Sequence, residues 1–345
     1  MRTAVAARAV AAAALLGVAL LGAAPAPSRD ARASENPKPS TPRFFTLTYT
    51  IDVKEIPEGA SDLAVWVPVP QSGAYQKITS LRVESPIAHQ FERESEYGNL
   101  VLRFHSKDPL PSEIPIVLEA RVERLPILAA DALRDPNAKP TLRDASASRE
   151  RFLAPDRLVP ITGKVASLAG EVTKGRANDV EKARAIYDYV TGTMKYDKSG
   201  EGWGRGDAVR ACDVRSGNCT DFHALFIGMC RAAGVPAVFQ IGFPLPETET
   251  TGVIAGYHCW AEFFAAGIGW IPVDCSEAVK QGDRLQFYFG SLDPDRVMFT
   301  VGRDIRLDPD ASPDPVNYFI YPIVRVDGKT HEAVTRGIRF EDRPS

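Results

Sequence analysis

The sequence predicts an α+β protein: a helical segment that leads into consecutive antiparallel strands, preceded by a β-sandwich-like domain and followed by C-terminal strands. Three observations carry this. Before residue 125 apolar and polar residues alternate over short runs. Between about 178 and 233 apolar residues recur at helical spacing. Beyond Pro236 short strand-like runs return, separated by turns rather than by helices. Helices followed by consecutive strands belong to α+β architectures, not to alternating parallel ones.

Taken in order, residues 1–33 read as a signal peptide. Arg2 and Arg8 precede an uncharged Ala- and Leu-rich run, Ala9 to Ala24, and small residues follow. Ala24-Pro25-Ala26 and Ala31-Arg32-Ala33 are candidate cleavage sites, and the second fits better because the first puts Pro27 just after the cut. The run is shorter than the ~20 residues a spanning helix needs. The expectation is therefore an exported protein, periplasmic or extracellular, with no transmembrane segment in the mature chain. Residues 34–42, rich in Pro, Ser and Lys, read as a linker.

Residues 43–125 form the β-rich N-terminal domain. Phe44 to Val53, Leu63 to Val69, Leu100 to Phe104 and Ile116 to Val122 alternate as strands do, punctuated by Pro, Gly and Ser. Residues 126–154 are polar and Pro-containing and read as a connection. Residues 155–308 read as an α+β domain, and 309–345 as a C-terminal β extension. Within the α+β domain, Asn178 and Glu181 have capping-box spacing ahead of a helix running to about Met194. A Gly-rich loop, Ser199 to Gly206, carries Trp203. Then Phe222, Leu225, Phe226, Met229, Cys230 and Ala233 mark the buried face of a second helix, with Asn218 as N-cap and Gly234 and Pro236 as its stop. Ala237 to Phe243, Tyr257 to Phe264 and Ile268 to Asp274 follow as strands.

Composition narrows the function. With 44% hydrophobic and 25% charged residues the chain is an ordinary globular protein, and its net charge of −3 argues against nonspecific nucleic-acid binding. The five cysteines, Cys212, Cys219, Cys230, Cys259 and Cys275, crowd into one part of the chain, where a disulfide scaffold would be spread more widely. A zinc site built from Cys219, His223 and Cys230 lacks the paired CxxC clusters such sites use, and no calcium loop is present. No metal or cofactor is expected.

Cys219 occupies the first turn of the second helix. Unpaired N–H groups and the positive end of the helix dipole favour its thiolate there, and the same N–H groups can donate to an oxyanion. Cys230 is the contrast, a small buried core residue. A cysteine nucleophile needs a base and a group that orients the base. His258 lies on one strand and Asp274 on the next. A three-residue hairpin loop, Ala265-Ala266-Gly267, puts Gly267 in the left-handed position and pairs Phe264 with Ile268, so that His258 opposes Asp274. Trp260 and Trp270 share that face and, with Trp203, are candidate walls of a substrate site. Cys259 and Cys275 point to the other face, where pairing of either with the other or with Cys212 stays open.

These residues resemble the transglutaminase-like superfamily. The likeness runs through Gly217-Asn218-Cys219-Thr220-Asp221-Phe222, Arg231 to Pro236, His258-Cys259-Trp260-Ala261-Glu262 and Gly269-Trp270-Ile271-Pro272-Val273-Asp274. It covers roughly residues 155–280 and continues more weakly through Arg296 to Asp304. The resemblance implies a papain-like core with Cys219 as nucleophile, His258 as general base and acid, and Asp274 as orienting carboxylate. Where family members carry Pro-Thr after the Asp, this chain has Cys275-Ser276. The implied activity is acyl transfer on peptide or carboxamide bonds of a peptide or protein substrate, with hydrolysis favoured over cross-linking. The alternative is a noncatalytic envelope-binding module on the same fold. Oligomeric state is not legible.

Overall fold

A computed structural model describes residues 41–128, 150–307 and 314–344. The expected signal peptide and most of the expected linker and connection lie outside these residues. The N-terminal strands are β1 (Arg43–Val53), β2 (Leu63–Pro68), β3 (Gln76–Glu84), β4 (His89–Arg93), β5 (Leu100–Ser106), β6 (Ile114–Arg124) and the short β7 (Ile127–Leu128). Their alternation does what the pattern requires. Phe45, Leu47, Tyr49, Ile51 and Val53 of β1 all face inward, as do Ile114, Ile116, Leu118, Ala120 and Val122 of β6.

The middle of the chain supplies α1 (Gly163–Val172), α2 (Asp179–Thr193), β8 (Lys195–Tyr196), α3 (Ala208–Val214), β9 (Ser216–Gly217), α4 (Cys219–Ala232), β10 (Ala237–Pro244), β11 (Thr251–Val253), β12 (His258–Ala265) and β13 (Gly269–Val273). It continues with α5 (Cys275–Lys280), β14 (Ser291–Leu292) and β15 (Arg296–Val301); the last strands are β16 (Ile323–Val326), β17 (Lys329–Thr330) and β18 (Val334–Asp342). The protein is thus mixed and strand-rich, as the pattern predicts.

Two five-stranded sheets, ordered β11-β18-β1-β6-β3 and β17-β16-β2-β5-β4, bury their inward side chains in one apolar cluster. Both draw strands from the two ends of the chain: β18 runs antiparallel to β1 from Phe45↔Asp342 to Val53↔Val334, and β16 pairs with β2. The C-terminal strands are integral to these sheets. Inside the segment read as a connection, β7 pairs with β14.

The third sheet, β13-β12-β10-β15, is antiparallel throughout. Helix α4 packs on one of its faces, where the rings of Phe226 and Phe263 lie 6.4 Å apart. Burial of α4 exceeds the single face its periodicity marks. Every residue from Cys219 to Arg231 is buried, because α1, α2 and α3 cover the sides that the sheet leaves open. Arg231 survives burial through bonds to Asp156 Oδ2 at 2.7 Å, Ala154 O at 2.8 Å and Ala237 O at 2.9 Å. A buried guanidinium needs such partners, and these tie the end of α4 to the strand that follows.

Candidate active site

The start of α4 is held by its cap. Asn218 Oδ1 accepts from Thr220 N at 3.0 Å, and Asp221 Oδ2 accepts from Asn218 N at 3.0 Å, a reciprocal arrangement that uses donors a helix start leaves unpaired. Asp221 also accepts from Gly204 N at 2.7 Å and Gly206 N at 3.1 Å, so one carboxylate moors the Gly-rich loop to the helix. Gly217 has to be glycine for this, since a Cβ there would sit 2.2 Å from Asp221 Oδ2. Across the gap, Asn218 Nδ2 donates to Tyr257 Oη at 3.2 Å, and Tyr318 Oη donates to Gly204 O at 3.0 Å. The residues just ahead of Cys219 and His258 therefore touch each other.

Cys219, only 2% exposed, follows the cap. Its pKa is driven well below the usual thiol range by a hydrogen bond from Cys259, against the opposing effect of burial, and then by the hydrogen bond and charge of His258. Cys259 is held up by burial and by the Cys219 charge, so it keeps its proton and is the donor. Cys230, buried on the apolar side of the helix, is pushed up well above the usual range, as a core thiol should be. All five cysteines are free thiols.

His258 opens β12 opposite Gly242 of β10. Its Nε2 lies 2.7 Å from Asp274 Oδ2, which leaves Nδ1 as the ring atom for the Cys219 thiol. Burial opposes a charge on this ring, but Asp274 and the Cys219 thiolate outweigh it and raise the pKa to about 10. Both shifts favour a thiolate–imidazolium pair.

Asp274 follows β13 and caps α5. Its Oδ1 accepts from Ser276 Oγ at 3.1 Å and Glu277 N at 3.0 Å; its Oδ2 accepts from His258 and from Arg296 Nη1, the latter at 2.9 Å. Burial alone would raise its pKa, yet His258 and Arg296 hold it well below the carboxylate range. Arg296 also donates to Asp293 Oδ2 at 3.1 Å and lies 5.0 Å over the Trp260 ring. Sequence reasoning missed Arg296 as a site residue; the weaker likeness that runs on through Arg296 to Asp304 is its only trace.

The expected hairpin register is corrected. Ala265 pairs with Gly269, Phe264 with Trp270 and Ala261 with Val273, so the ladder is displaced by two residues. The turn spans residues 266–268, with Gly267 at φ 80° and Ile268 N donating to Ala265 O at 3.1 Å. One step past the last pair, Asp274 stands level with Trp260 rather than His258. The displacement is even, so the shared face survives, and the two side chains meet on the diagonal.

The tryptophans separate. Trp260 is fully buried, its Nε1 donating to Gln240 Oε1 at 2.6 Å and its ring 6.1 Å from that of His258, so it backs the imidazole rather than lining an open wall. Trp270 lies at the other end of the hairpin and packs on Phe152 at 5.0 Å and Phe264 at 5.6 Å, away from Cys219, because the register displacement carries it along the strand. Trp203 is 37% exposed on the Gly-rich loop, next to the residue moored to Asp221.

His223, one turn after Cys219, is neutral. Burial lowers its pKa; Nδ1 donates to Cys219 O at 2.8 Å and Nε2 accepts from Cys275 N at 3.0 Å. The departure at Cys275-Ser276 has its consequence here, since a proline at 275 has no N–H to give. His223 ties the Cys219 turn to the Asp274 turn.

A thiolate at a helix start, paired with an imidazolium that a buried carboxylate orients, is the constellation of papain-like and transglutaminase-like acyl transfer. Residues 166–275 match the family model of the transglutaminase-like superfamily, and the match contains Cys219, His258 and Asp274. The chain is similar to an uncharacterized protein of Haemophilus influenzae, 28% identical over 320 residues, with 82% of this chain and 85% of that protein aligned. Its fold is similar to that of a candidate cysteine protease from Cytophaga hutchinsonii, with a TM-score of 0.54 and 18% identity over 88% of this chain and 99% of that one. Among the described residues no helix is long and apolar enough to cross a membrane.

Proposed function

We propose that the chain is an exported cysteine-dependent acyl-transfer enzyme that acts on peptide or carboxamide bonds through a thioester, with water as the usual acceptor. The observation that carries this reading is the division of His258 between its neighbours: Asp274 at 2.7 Å takes Nε2, and the other nitrogen is left to a thiol held as thiolate. The Cys219 thiolate adds to the carbonyl carbon, and the oxyanion that forms is met by N–H groups at the start of α4. The C–N bond then breaks as His258 passes its proton to the leaving amine. Cys219 is left as a thioester. His258, now neutral, takes a proton from water, hydroxide adds to the thioester carbonyl, and the C–S bond breaks to return the thiolate and release an acid.

Hydrolysis is preferred over cross-linking because the Cytophaga fold neighbour is described as a candidate protease and because an exported protein meets water and peptide at every turn. Export itself rests on the Arg2 to Ala33 pattern. The test is mass spectrometry of the mature protein with a thiol-selective electrophile near pH 6, where an ordinary thiol is almost wholly protonated, comparing wild type with His258→Ala. Selective labelling of Cys219 that the variant loses supports the triad, and release of amine from peptide amides then reports turnover. Labelling of Cys219 no faster than of Cys230 overturns the catalytic reading and leaves a binding module on the same fold.

A further inference from the structure

The face of the third sheet that points away from α4 carries a cavity of about 260 Å3, just under the roughly 300–1,000 Å3 of ligand pockets. Tyr75, Gln76, Arg93, Arg124, Gln240 and Glu262 are among the residues that line it. It lies where the end of β6 and the start of β3 meet β10, β12 and β15, bound together by Gln76, which donates to Met298 O and accepts from Met298 N, both at 2.8 Å.

Arg124 is the anomaly. It ends β6 in the inward-facing phase of the strand, where every earlier position is apolar, and it is 4% exposed. Its Nη1 donates to Tyr75 O at 3.3 Å, but its buried Nε has no hydrogen-bond partner among the described residues. No described carboxylate stands within ion-pair distance of it. Burial depresses its pKa to about 10, Arg296 adds to the effect, and the charges of Asp293 and Glu262 offset only part of it. A buried guanidinium with no carboxylate at ion-pair distance is costly, and the preceding inward positions are filled by apolar Val122 and Ala120. Arg93 adds a second cation to the wall, with its Nη1 braced by Gln71 Oε1 at 2.8 Å and Gly98 O at 2.7 Å.

We propose that this cavity binds the carboxylate of an amino-acid-sized ligand, with Arg124 as its counter-ion and Arg93 at its rim. A planar guanidinium with a free edge fits a carboxylate. The cavity lies away from α4, on the sheet face that also carries His258 and Trp260, and does not depend on the proposed chemistry at Cys219. It touches that chemistry through Gln240, which holds the Trp260 indole that backs His258.

The test is calorimetry on the full mature chain with N-acetylalanine, its neutral amide, and acetate. Saturable binding of the acid, weaker binding of acetate and none of the amide are expected. Arg124→Gln should weaken binding of the acid about tenfold or more, the loss typical of a charge-assisted hydrogen bond, and Arg93→Gln severalfold. Arg93 is braced at the surface, so Arg93→Gln remains informative if Arg124→Gln fails to fold. The proposal is overturned if the acid does not saturate, if the amide binds equally well, or if neither variant weakens binding. Acetate binding as tightly as N-acetylalanine would overturn the assignment of ligand size.

Discussion

Arg296→Met takes a buried guanidinium from between two buried carboxylates. In the native protein Arg296 is 3% exposed and bonds Asp274 at 2.9 Å and Asp293 at 3.1 Å. Methionine replaces most of the volume but no charge. Breaking a buried pair by removing one partner costs about 3–5 kcal/mol, a large share of the roughly 5–15 kcal/mol that holds a domain together. The pH dependence gives the sharper signature. Burial would raise the pKa of Asp293, and Arg296 is the charge that pulls it below the usual range. A carboxylate with a depressed folded pKa stabilises the fold above its unfolded value of about 3.9, and that contribution is lost as pH falls through the folded value. Without Arg296 burial prevails, the folded pKa rises above the unfolded one, and the ionised group destabilises at neutral pH. The deficit of the variant relative to wild type should therefore be full near pH 7 and shrink toward about pH 4, as Asp293 takes a proton. Urea titrations of both proteins at several pH values measure it, and Arg296→Lys, which keeps the charge without the fork, should recover part. A deficit under about 1 kcal/mol at pH 7, or one that does not change on acidification, would refute the account of Arg296 as the counter-ion of both carboxylates.

Cys259→Ala removes the largest stabilising contact of the Cys219 thiolate, so the midpoint of its pH–alkylation profile should move to higher pH. A profile that does not move would show that His258 alone maintains the thiolate. Cys275→Pro puts proline at the first position of α5, where the backbone accepts it, but orphans His223 Nε2. A loss of about 1–3 kcal/mol by urea titration is expected, and Cys275→Ala, which keeps the N–H, should cost less. Gly217→Ala drives a methyl into an Asp221 carboxylate pinned by three N–H groups. It should cost at least ~2 kcal/mol and slow Cys219 alkylation, and unchanged stability would show that the Gly-rich loop yields freely.

What was legible in the sequence was local. The spacing of Asn178 and Glu181 marks the start of α2, and Asn178 Oδ1 accepts from Glu181 N at 2.9 Å; four residues of chain contain the whole interaction. The same holds for Asn218 as the cap of α4, whereas the part of Asp221 in that cap was not read from the sequence, and its mooring of Gly204 and Gly206 depends on where a distant loop lies. Alternation marks β1 and β6 as half-buried strands but says nothing about partners. That β1 takes β18, from the far end of the chain, as a neighbour is written in no window around either strand. The strand Ile127–Leu128, two residues long and paired with β14, is too short to carry a period at all.

The candidate site shows which errors a sequence argument can absorb. Facing is a matter of parity along a strand, while adjacency depends on register. Placing the turn at 265–267 instead of 266–268 displaced the ladder by two residues, an even number, so His258 and Asp274 stayed on one face and their side chains closed the remaining distance. A displacement of one would have put them on opposite faces and removed the site from the reading. Trp270 illustrates the other half. It keeps the right face after the same displacement, but a wall residue must also be close, and the structure leaves it beside Phe152 and Phe264. Arg296 was beyond either rule, because it acts through Asp274 on another strand's end. Helix period does put His223 one turn after Cys219, whose carbonyl oxygen it meets, but it does not select its other partner, the backbone of Cys275, whose N–H exists only because proline is absent there.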